Sequence, residues 1–133
     1  MSKALYICRY LLGTCDYTLL FDGAKGSGLI ACTDSDWASD PNNRHSQTGW
    51  FIKLANCTFS WRSRQQKHVA FSSTEAEYVV LSDCSKQVVW IRQLLGEMGY
   101  NLKPTPICGD NQGSIFMASN PVTETCNKYV KIL

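Results

Sequence analysis

The amino-acid sequence predicts an α/β or α+β protein built around a central sheet. Segments 29–33, 48–54 and 57–63 are rich in apolar, β-branched and aromatic residues, which is typical of strands. Segment 74–98 follows with apolar residues at steps of three and four, the pattern of a helix lying on a sheet. A short strand and a shorter helix come next. Strands first, then strand and helix in alternation, define this fold class.

Length and composition favour one intracellular globular domain. The chain has 133 residues, 44% of them hydrophobic, and a net charge of +2, so composition alone does not indicate a nucleic-acid-binding protein. The sequence has neither a secretion signal nor a run apolar enough to span a membrane. We therefore expect a protein of the cytoplasm or nucleus that is neither secreted nor bound to a membrane.

The seven cysteines are scattered singly, and no two of them form a Cys-x-x-Cys pair. A zinc site is therefore not expected. Cys32, Cys84 and Cys108 lie inside apolar runs. Their placement favours buried, reduced thiols over a disulfide framework.

The N-terminal segment predicts one helix and one strand. Residues 3–12 carry apolar side chains at spacings that a short helix can use, and Gly13 is a plausible stop. Residues 18–21 favour a strand. The glycine-rich segment 22–28 predicts a flexible turn, because its spacing fits neither a P-loop nor a dinucleotide-binding loop.

The next three strands are predicted from composition and alternation. The first, 29–33, leads into Asp34, and a polar stretch separates it from segment 48–54. The pair 55–56 can turn the chain into segment 57–63, where alternation predicts a half-buried strand. Core or half-buried packing is expected of three tryptophans: Trp50, Trp61 and Trp90.

Two helices and a strand complete the predicted order. The long helix runs from Thr74 to about Met98, ends at Gly99 and buries a stripe formed by Ala76, Val80, Cys84, Val88, Ile91, Leu95 and Met98. Segment 106–109 predicts a short strand. The last helix, 111–119, is expected to stop at Asn120 and Pro121 and to bury three apolar residues: Ile115, Phe116 and Ala118.

Carboxylates fall at the ends of three predicted elements: Asp34 after the first strand, Glu75 and Glu77 on the first turn of the long helix, and Asp110 after the short strand. Phosphodiester hydrolysis can use two divalent ions, and magnesium prefers oxygen ligands, so isolated acids at element ends suit such a site. Each acid also has a structural alternative. Residues 74–77 could form a capping box, Asp110 could cap the next helix, and Asp34 could be an ordinary turn residue.

Three motifs together resemble the ribonuclease H domain of copia-type retrotransposon Pol polyproteins: TDSDWASD at 33–40, FSSTEAEY at 71–78 and GDNQ at 109–112. Segment 9–14 (RYLLGT) is similar to the part that joins reverse transcriptase to this domain, and segment 60–66 (SWRSRQQ) to the family's strand before the helix. The resemblance implies a connecting segment at 1–28 and a ribonuclease H-like domain at 29–133. It also implies a mixed sheet flanked by helices.

The resemblance assigns Asp34, Glu77 and Asp110 as catalytic residues and ligands of Mg²⁺, with Mn²⁺ as a substitute. No small-molecule cofactor is implied. Glu77 is preferred to Glu75 because an aromatic residue and small apolar residues follow it, as in the family. Asp36 and Asp40 are secondary candidates for acids near the metals.

The substrate implied by the resemblance is an RNA/DNA hybrid. A basic run beside Trp61 suits phosphate contacts, although it could also be a charged hairpin edge that prevents aggregation. Neither His45 nor His68 is assigned a catalytic role, since loop histidines are usually polar surface residues. The candidate nucleic-acid-binding residues are Arg44, Ser46, Arg62, Arg64, Lys67, Asn111 and Gln112.

The resemblance weakens after Asn120 and Pro121, where the family's next motif is only partly matched. The family's last edge strand and its final helix, which bears a fourth metal-binding aspartate, have no counterpart in this sequence. We therefore expect weaker metal binding and an exposed sheet edge that could support a homodimer. Two functions remain open: a magnesium-dependent endonuclease, or an inactive nucleic-acid-binding or protein-interaction remnant.

Overall fold

The computed structural model describes residues 3–21 and 28–120. Over these ranges the elements are α1 (Lys3–Gly13), β1 (Ile30–Asp36), β2 (Gln47–Leu54), β3 (Cys57–Gln65), α2 (Ser73–Glu97), β4 (Ile107–Cys108) and α3 (Gln112–Ser119). The strand order is β3-β2-β1-β4. β4 is parallel to β1, and the other pairs are antiparallel. The predicted mixed sheet with helices is confirmed. The glycine-rich turn and the segment after Asn120 lie outside the described residues.

A tight hairpin connects β2 to β3. Ala55 and Asn56 have φ angles of 49° and 65°, as a two-residue type I′ turn requires. The predicted turn is therefore confirmed. β1 extends beyond its predicted end because Asp34 pairs with Gly49 and Asp36 with Gln47. The first carboxylate of the candidate site thus lies on regular sheet backbone.

The core lies between α2 and one face of the sheet. Ala31 and Ile52 are fully buried on that face, and Trp50 is 5% exposed. The predicted stripe of α2 is confirmed from Ala76 to Ile91, with Leu95 packed at its border. Met98 instead lies at the C-cap and is 63% exposed. Gly99 follows with a φ of 89°, which confirms the predicted stop.

The N-cap of α2 lies two residues before Thr74, the residue that would be the N-cap if residues 74–77 formed a capping box. Ser72 is the N-cap, and its Oγ accepts a hydrogen bond from the Glu75 amide at 3.1 Å. The Glu75 carboxylate accepts one from the Phe71 amide at 2.7 Å. The alternative of a capping box at 74–77 is therefore wrong. Glu75 has the capping role, and Glu77 does not.

Ser72→Ala is expected to lower the free energy of unfolding by about 1 kcal/mol, because the substitution removes the side-chain acceptor at the N-cap. Ser73→Ala is the matched control, since Ser73 is exposed at the first helical position, where alanine is well tolerated. Urea denaturation of both variants measures the difference. Equal losses in the two variants would contradict the assignment of Ser72 as the cap.

The predicted strand at 18–21 is wrong, because these residues have no strand structure. β1 already has β2 and β4 as neighbours, and β2 has β1 and β3. Leu19 instead shares a shallow groove on the sheet with Phe51 and Trp61. The predicted helix at the N-terminus is confirmed, although none of its residues is buried.

Several predicted burials are also wrong. Trp61 and Trp90 are 65% and 56% exposed, whereas Trp50 is buried as expected. Ile115, Phe116 and Ala118, the apolar residues of α3 that were expected to be buried, are exposed. α3 packs through its small residues instead. Ser114 is buried, and a Cβ added to Gly113 would lie 3.0 Å from the Thr74 side chain.

The expectation of buried cysteines holds only in part. Cys84 is fully buried in the core. Cys32 is partly exposed and Cys108 is exposed, because both lie at positions that face away from α2. Among the described residues, no helix combines the length and apolarity that a membrane span requires.

Candidate metal centre

Three carboxylates from separate elements meet at one end of the sheet. Asp34 lies on β1, Asp110 follows β4, and Glu77 lies on the first turns of α2. One oxygen from each side chain lies within 4.8 Å of the other two. β1 and β4 are parallel neighbours, so their carboxyl ends bring Asp34 and Asp110 to the same edge. α2 packs across β1 and adds Glu77.

Glu77 is the buried member of this cluster. Its side chain is 7% exposed, and its Oε1 accepts a hydrogen bond from the Ser35 amide at 2.9 Å. Burial raises the pKa of Glu77 above its usual value, and the charges of Asp110 and Asp34 raise it further, while the Ser35 hydrogen bond opposes the shift. Bringing a third negative charge into this position is therefore costly unless a cation compensates it.

The donor set fits a divalent metal ion. All three groups offer carboxylate oxygens, the ligands that magnesium and manganese accept readily. Asp34 and Asp110 are exposed, so solvent or a substrate can reach the cluster from one side. The Ser35 hydroxyl is buried beside Glu77 and has no hydrogen-bond partner in the described part of the chain. An unpaired polar atom there is consistent with a site that binds a polar ligand.

Other acids proposed from the sequence lie outside this cluster. Asp40 accepts hydrogen bonds from the Asn42 amide and the Gln65 side chain, both at 2.9 Å. Those bonds, the one from Asn42 above all, lower the pKa of Asp40. Glu75 caps α2. Asp36 lies two residues beyond Asp34 on β1 and does not join the group.

Asp110 is not the cap of α3. Asn111 occupies the N-cap position, and its side chain accepts a hydrogen bond from the Ser114 amide at 3.0 Å. The capping alternative for Asp110 is therefore wrong, which leaves its carboxylate available to the cluster. The turn alternative for Asp34 is also wrong, since Asp34 lies within β1.

Three of the candidate nucleic-acid-binding residues make contacts within the protein, and the other four have exposed side chains. Arg62 donates to both oxygens of Asp83 at 3.0 and 3.1 Å, and its guanidinium lies 5.5 Å from the ring centre of Trp50. Ser46 is fully buried and accepts a hydrogen bond from the Ala38 amide. Asn111 caps α3. The four candidates with exposed side chains are Arg44, Arg64, Lys67 and Gln112.

One residue of the site was missed by sequence reasoning. The Ser35 amide orients Glu77. The sequence signal that could have indicated Ser35 is its position directly after Asp34, the carboxylate at the end of the predicted strand. Gly49, which matches a family position in the sequence, lies opposite Asp34 on β2.

Comparison with known proteins shows that the chain is similar to segments of much longer proteins. The chain is 35% identical to a retrovirus-related Pol polyprotein from transposon TNT 1-94 of Nicotiana tabacum, over 96% of this chain and 10% of the relative. It is 37% identical to that from transposon RE1 of Arabidopsis thaliana, over 95% of this chain and 9% of the relative. The chain thus spans about a tenth of the length of these polyproteins.

A shorter relative is the secreted RxLR effector protein 161 of Plasmopara viticola, which is 42% identical over 64% of this chain and 60% of its own length. No protein-family model matches the chain. No solved structure matches it either. The similarity to the polyproteins nevertheless extends over nearly the whole chain, and it identifies this protein as a domain derived from a copia-type retrotransposon Pol polyprotein.

Proposed function

We propose that this protein is a ribonuclease H-type domain that hydrolyses the RNA strand of RNA/DNA hybrids with magnesium, or with manganese as a substitute. The observation that carries the proposal is the meeting of Asp34, Glu77 and Asp110 from three elements, with oxygens within 4.8 Å of one another. Membership among retrotransposon Pol polyproteins supports a role on nucleic acid.

Divalent ions bound by these carboxylates would activate a water molecule and neutralise charge on the departing oxygen. The protein's own residues hold the ligands in place. Ser35 orients Glu77 through its amide, while Asp34 and Asp110 present exposed oxygens on the solvent side. The Thr33 hydroxyl donates a hydrogen bond to the Cys108 carbonyl at 3.3 Å. That contact joins β1 to β4 one residue before Asp34 and so supports the spacing of the two aspartates.

The deciding experiment is cleavage of a labelled RNA/DNA hybrid in magnesium and in manganese. RNA/RNA and DNA/DNA duplexes of the same sequence are the substrate controls. We expect cleavage of the RNA strand in the hybrid only. A folded protein that leaves the hybrid intact in both metals would contradict the proposal, as would equal cleavage of all three duplexes.

Magnesium is expected to raise the melting temperature, because an ion that binds only the folded protein stabilises it. The gain is about 1.4 kcal/mol at a magnesium concentration about ten times the Kd. Asp110→Asn should abolish this rise, since it removes one charged ligand and keeps the side-chain size. Differential scanning fluorimetry measures both proteins. An unchanged magnesium response in the variant would place the ion elsewhere.

Arg64→Ala is expected to weaken hybrid binding about threefold at low salt and to reduce the salt slope by about 0.9, as loss of one phosphate contact predicts. Its unfolding free energy should not change, because Arg64 is exposed. Arg62→Ala should instead lose about 1 kcal/mol of stability, since it removes the contacts to Asp83 and Trp50. Fluorescence anisotropy and urea denaturation separate the two effects. If both variants lost the same hybrid affinity and had the same free energy of unfolding, the different roles assigned to Arg64 and Arg62 would be wrong.

A protein-interaction role is the second candidate, and α1 favours it. None of the residues of α1 is buried, and Leu5, Ile7, Leu11 and Leu12 are more than half exposed. A helix of this length is marginal alone in water. Self-association through α1, or through the exposed sheet edge that the sequence predicts, would appear as a concentration-dependent mass in sedimentation equilibrium. A monomer at all concentrations would rule out the homodimer.

A further inference from the structure

Two cysteines far apart in sequence are direct neighbours in the sheet. Cys32 on β1 and Cys108 on β4 are paired in register across the parallel strands. Neighbouring strands lie about 4.8 Å apart, and disulfide-bonded cysteines have Cα atoms about 4.4–6.8 Å apart. The spacing of the two strands therefore falls within the range of Cα separations that a disulfide requires.

Both side chains lie on the same side of the sheet, away from α2. Ala31 and Thr33, which flank Cys32, are buried beneath α2, whereas Cys32 itself is only partly buried. Residues paired in register share a face, so Cys108 lies beside Cys32 on that side of the sheet. Cys108 is exposed. A small reagent can therefore reach the pair from solvent.

We propose that Cys32 and Cys108 form a dithiol site that a low-molecular-weight disulfide oxidises to an intramolecular disulfide. The Cys108 thiolate attacks one sulfur of the reagent, and the first small thiol leaves. The Cys32 thiolate then attacks the Cys108 sulfur of the mixed disulfide, and the second small thiol leaves. In total two protein thiols are oxidised, one small disulfide is reduced to two thiols, and the two protons from the cysteines go to the departing thiolates.

The bond would connect the two strands that carry the exposed aspartates of the candidate metal centre. Asp34 and Asp110 each follow a member of the pair by two residues. β4 has only two strand residues, so a covalent link would hold it on β1 more firmly than its backbone hydrogen bonds do. The disulfide itself is independent of the proposed nuclease activity.

The test uses the full chain with Cys8, Cys15 and Cys126 replaced by serine, so that the exposed thiols at positions 8 and 15 and the cysteine beyond Asn120 do not react. Oxidised glutathione is the probe, followed by alkylation under denaturing conditions and mass spectrometry of peptides. We expect a mass loss of about 2 Da, a peptide pair linked through Cys32 and Cys108, and no label on either. The buried residues Cys57 and Cys84 should remain reduced.

Cys32→Ser in the same background is the matched control, and it should keep one glutathione on Cys108. The oxidised parent should melt several degrees higher than its reduced form, because the bond closes a long loop, and dithiothreitol should reverse that rise. Three results would overturn the inference: a lasting glutathione adduct on Cys108 when Cys32 is present, a link from Cys108 to another cysteine, or an oxidised protein that melts no higher than the reduced one.

Discussion

Asp34→Asn is expected to lower magnesium-dependent cleavage of an RNA/DNA hybrid by about 100-fold or more, while the protein stays folded. Asparagine has nearly the same shape as aspartate but carries no charge, so it is a poor ligand for a hard cation. The side chain is exposed, and its backbone pairing with Gly49 does not depend on the carboxylate. The loss should therefore appear in activity and in the magnesium response, and not in the fold.

Asp36→Asn is the matched control, because Asp36 lies two residues along the same strand and outside the carboxylate cluster. It should cleave at the wild-type rate. Initial rates on a labelled hybrid, with circular dichroism of each variant, make the comparison. Retained activity in Asp34→Asn would show that the cleavage comes from another site or from a contaminant. Equal losses in both variants would indicate a general charge effect on the strand.

The meeting of the three acids at one end of the sheet could be predicted from the sequence, because they lie at the ends of elements with strong local patterns. β1 is an apolar run followed by Asp34, and α2 has a clear helical stripe that fixes which residues face the sheet. Family motifs then selected Glu77 over Glu75. The structure adds the physical reason for that choice: Glu75 caps the helix, whereas Glu77 lies two residues on, against the Ser35 amide.

Features that depend on contacts between distant segments could not be predicted from local patterns. An alternating segment predicts a strand but does not show which face of that strand is covered. Trp61 is exposed because no described helix covers its side of β3. Arg62 was expected to bind phosphate, yet its partner Asp83 comes from α2. The pairing of Cys32 with Cys108 likewise depends on a parallel register between β1 and β4.

Glu77→Gln is expected to affect function and stability in opposite directions. Cleavage should fall by about 100-fold, as for Asp34→Asn, because a charged ligand is lost. In metal-free buffer at pH 7, however, the free energy of unfolding should be higher than that of the wild type, because the raised pKa of Glu77 means that its charged form destabilises the folded state. Glutamine removes a buried charge that faces Asp34 and Asp110, and its side-chain oxygen can still accept the Ser35 hydrogen bond.

The pH dependence of this gain follows from the raised pKa of Glu77. A group whose pKa is higher in the folded state stabilises the protein most at low pH, where the group is protonated in both the folded and the unfolded state. This stabilisation is lost as the pH rises from the pKa of the unfolded state, near 4.5, through the pKa of the folded state. The advantage of Glu77→Gln should therefore be present at pH 7 and disappear below about pH 4, where wild-type Glu77 is also neutral. Urea denaturation at several pH values, without metal, measures it.

Glu75→Gln is the matched control on the same helix. The Glu75 carboxylate interacts favourably with the helix N-terminus and accepts a hydrogen bond from the Phe71 amide. Its substitution should therefore lower the free energy of unfolding slightly at pH 7, and the variant should keep the magnesium response. Saturating magnesium should then reverse the order of wild type and Glu77→Gln, because only the wild type retains all three charged ligands. If Glu77→Gln is less stable than wild type in metal-free buffer at pH 7, the three carboxylates do not repel one another there, and the cluster does not require a cation.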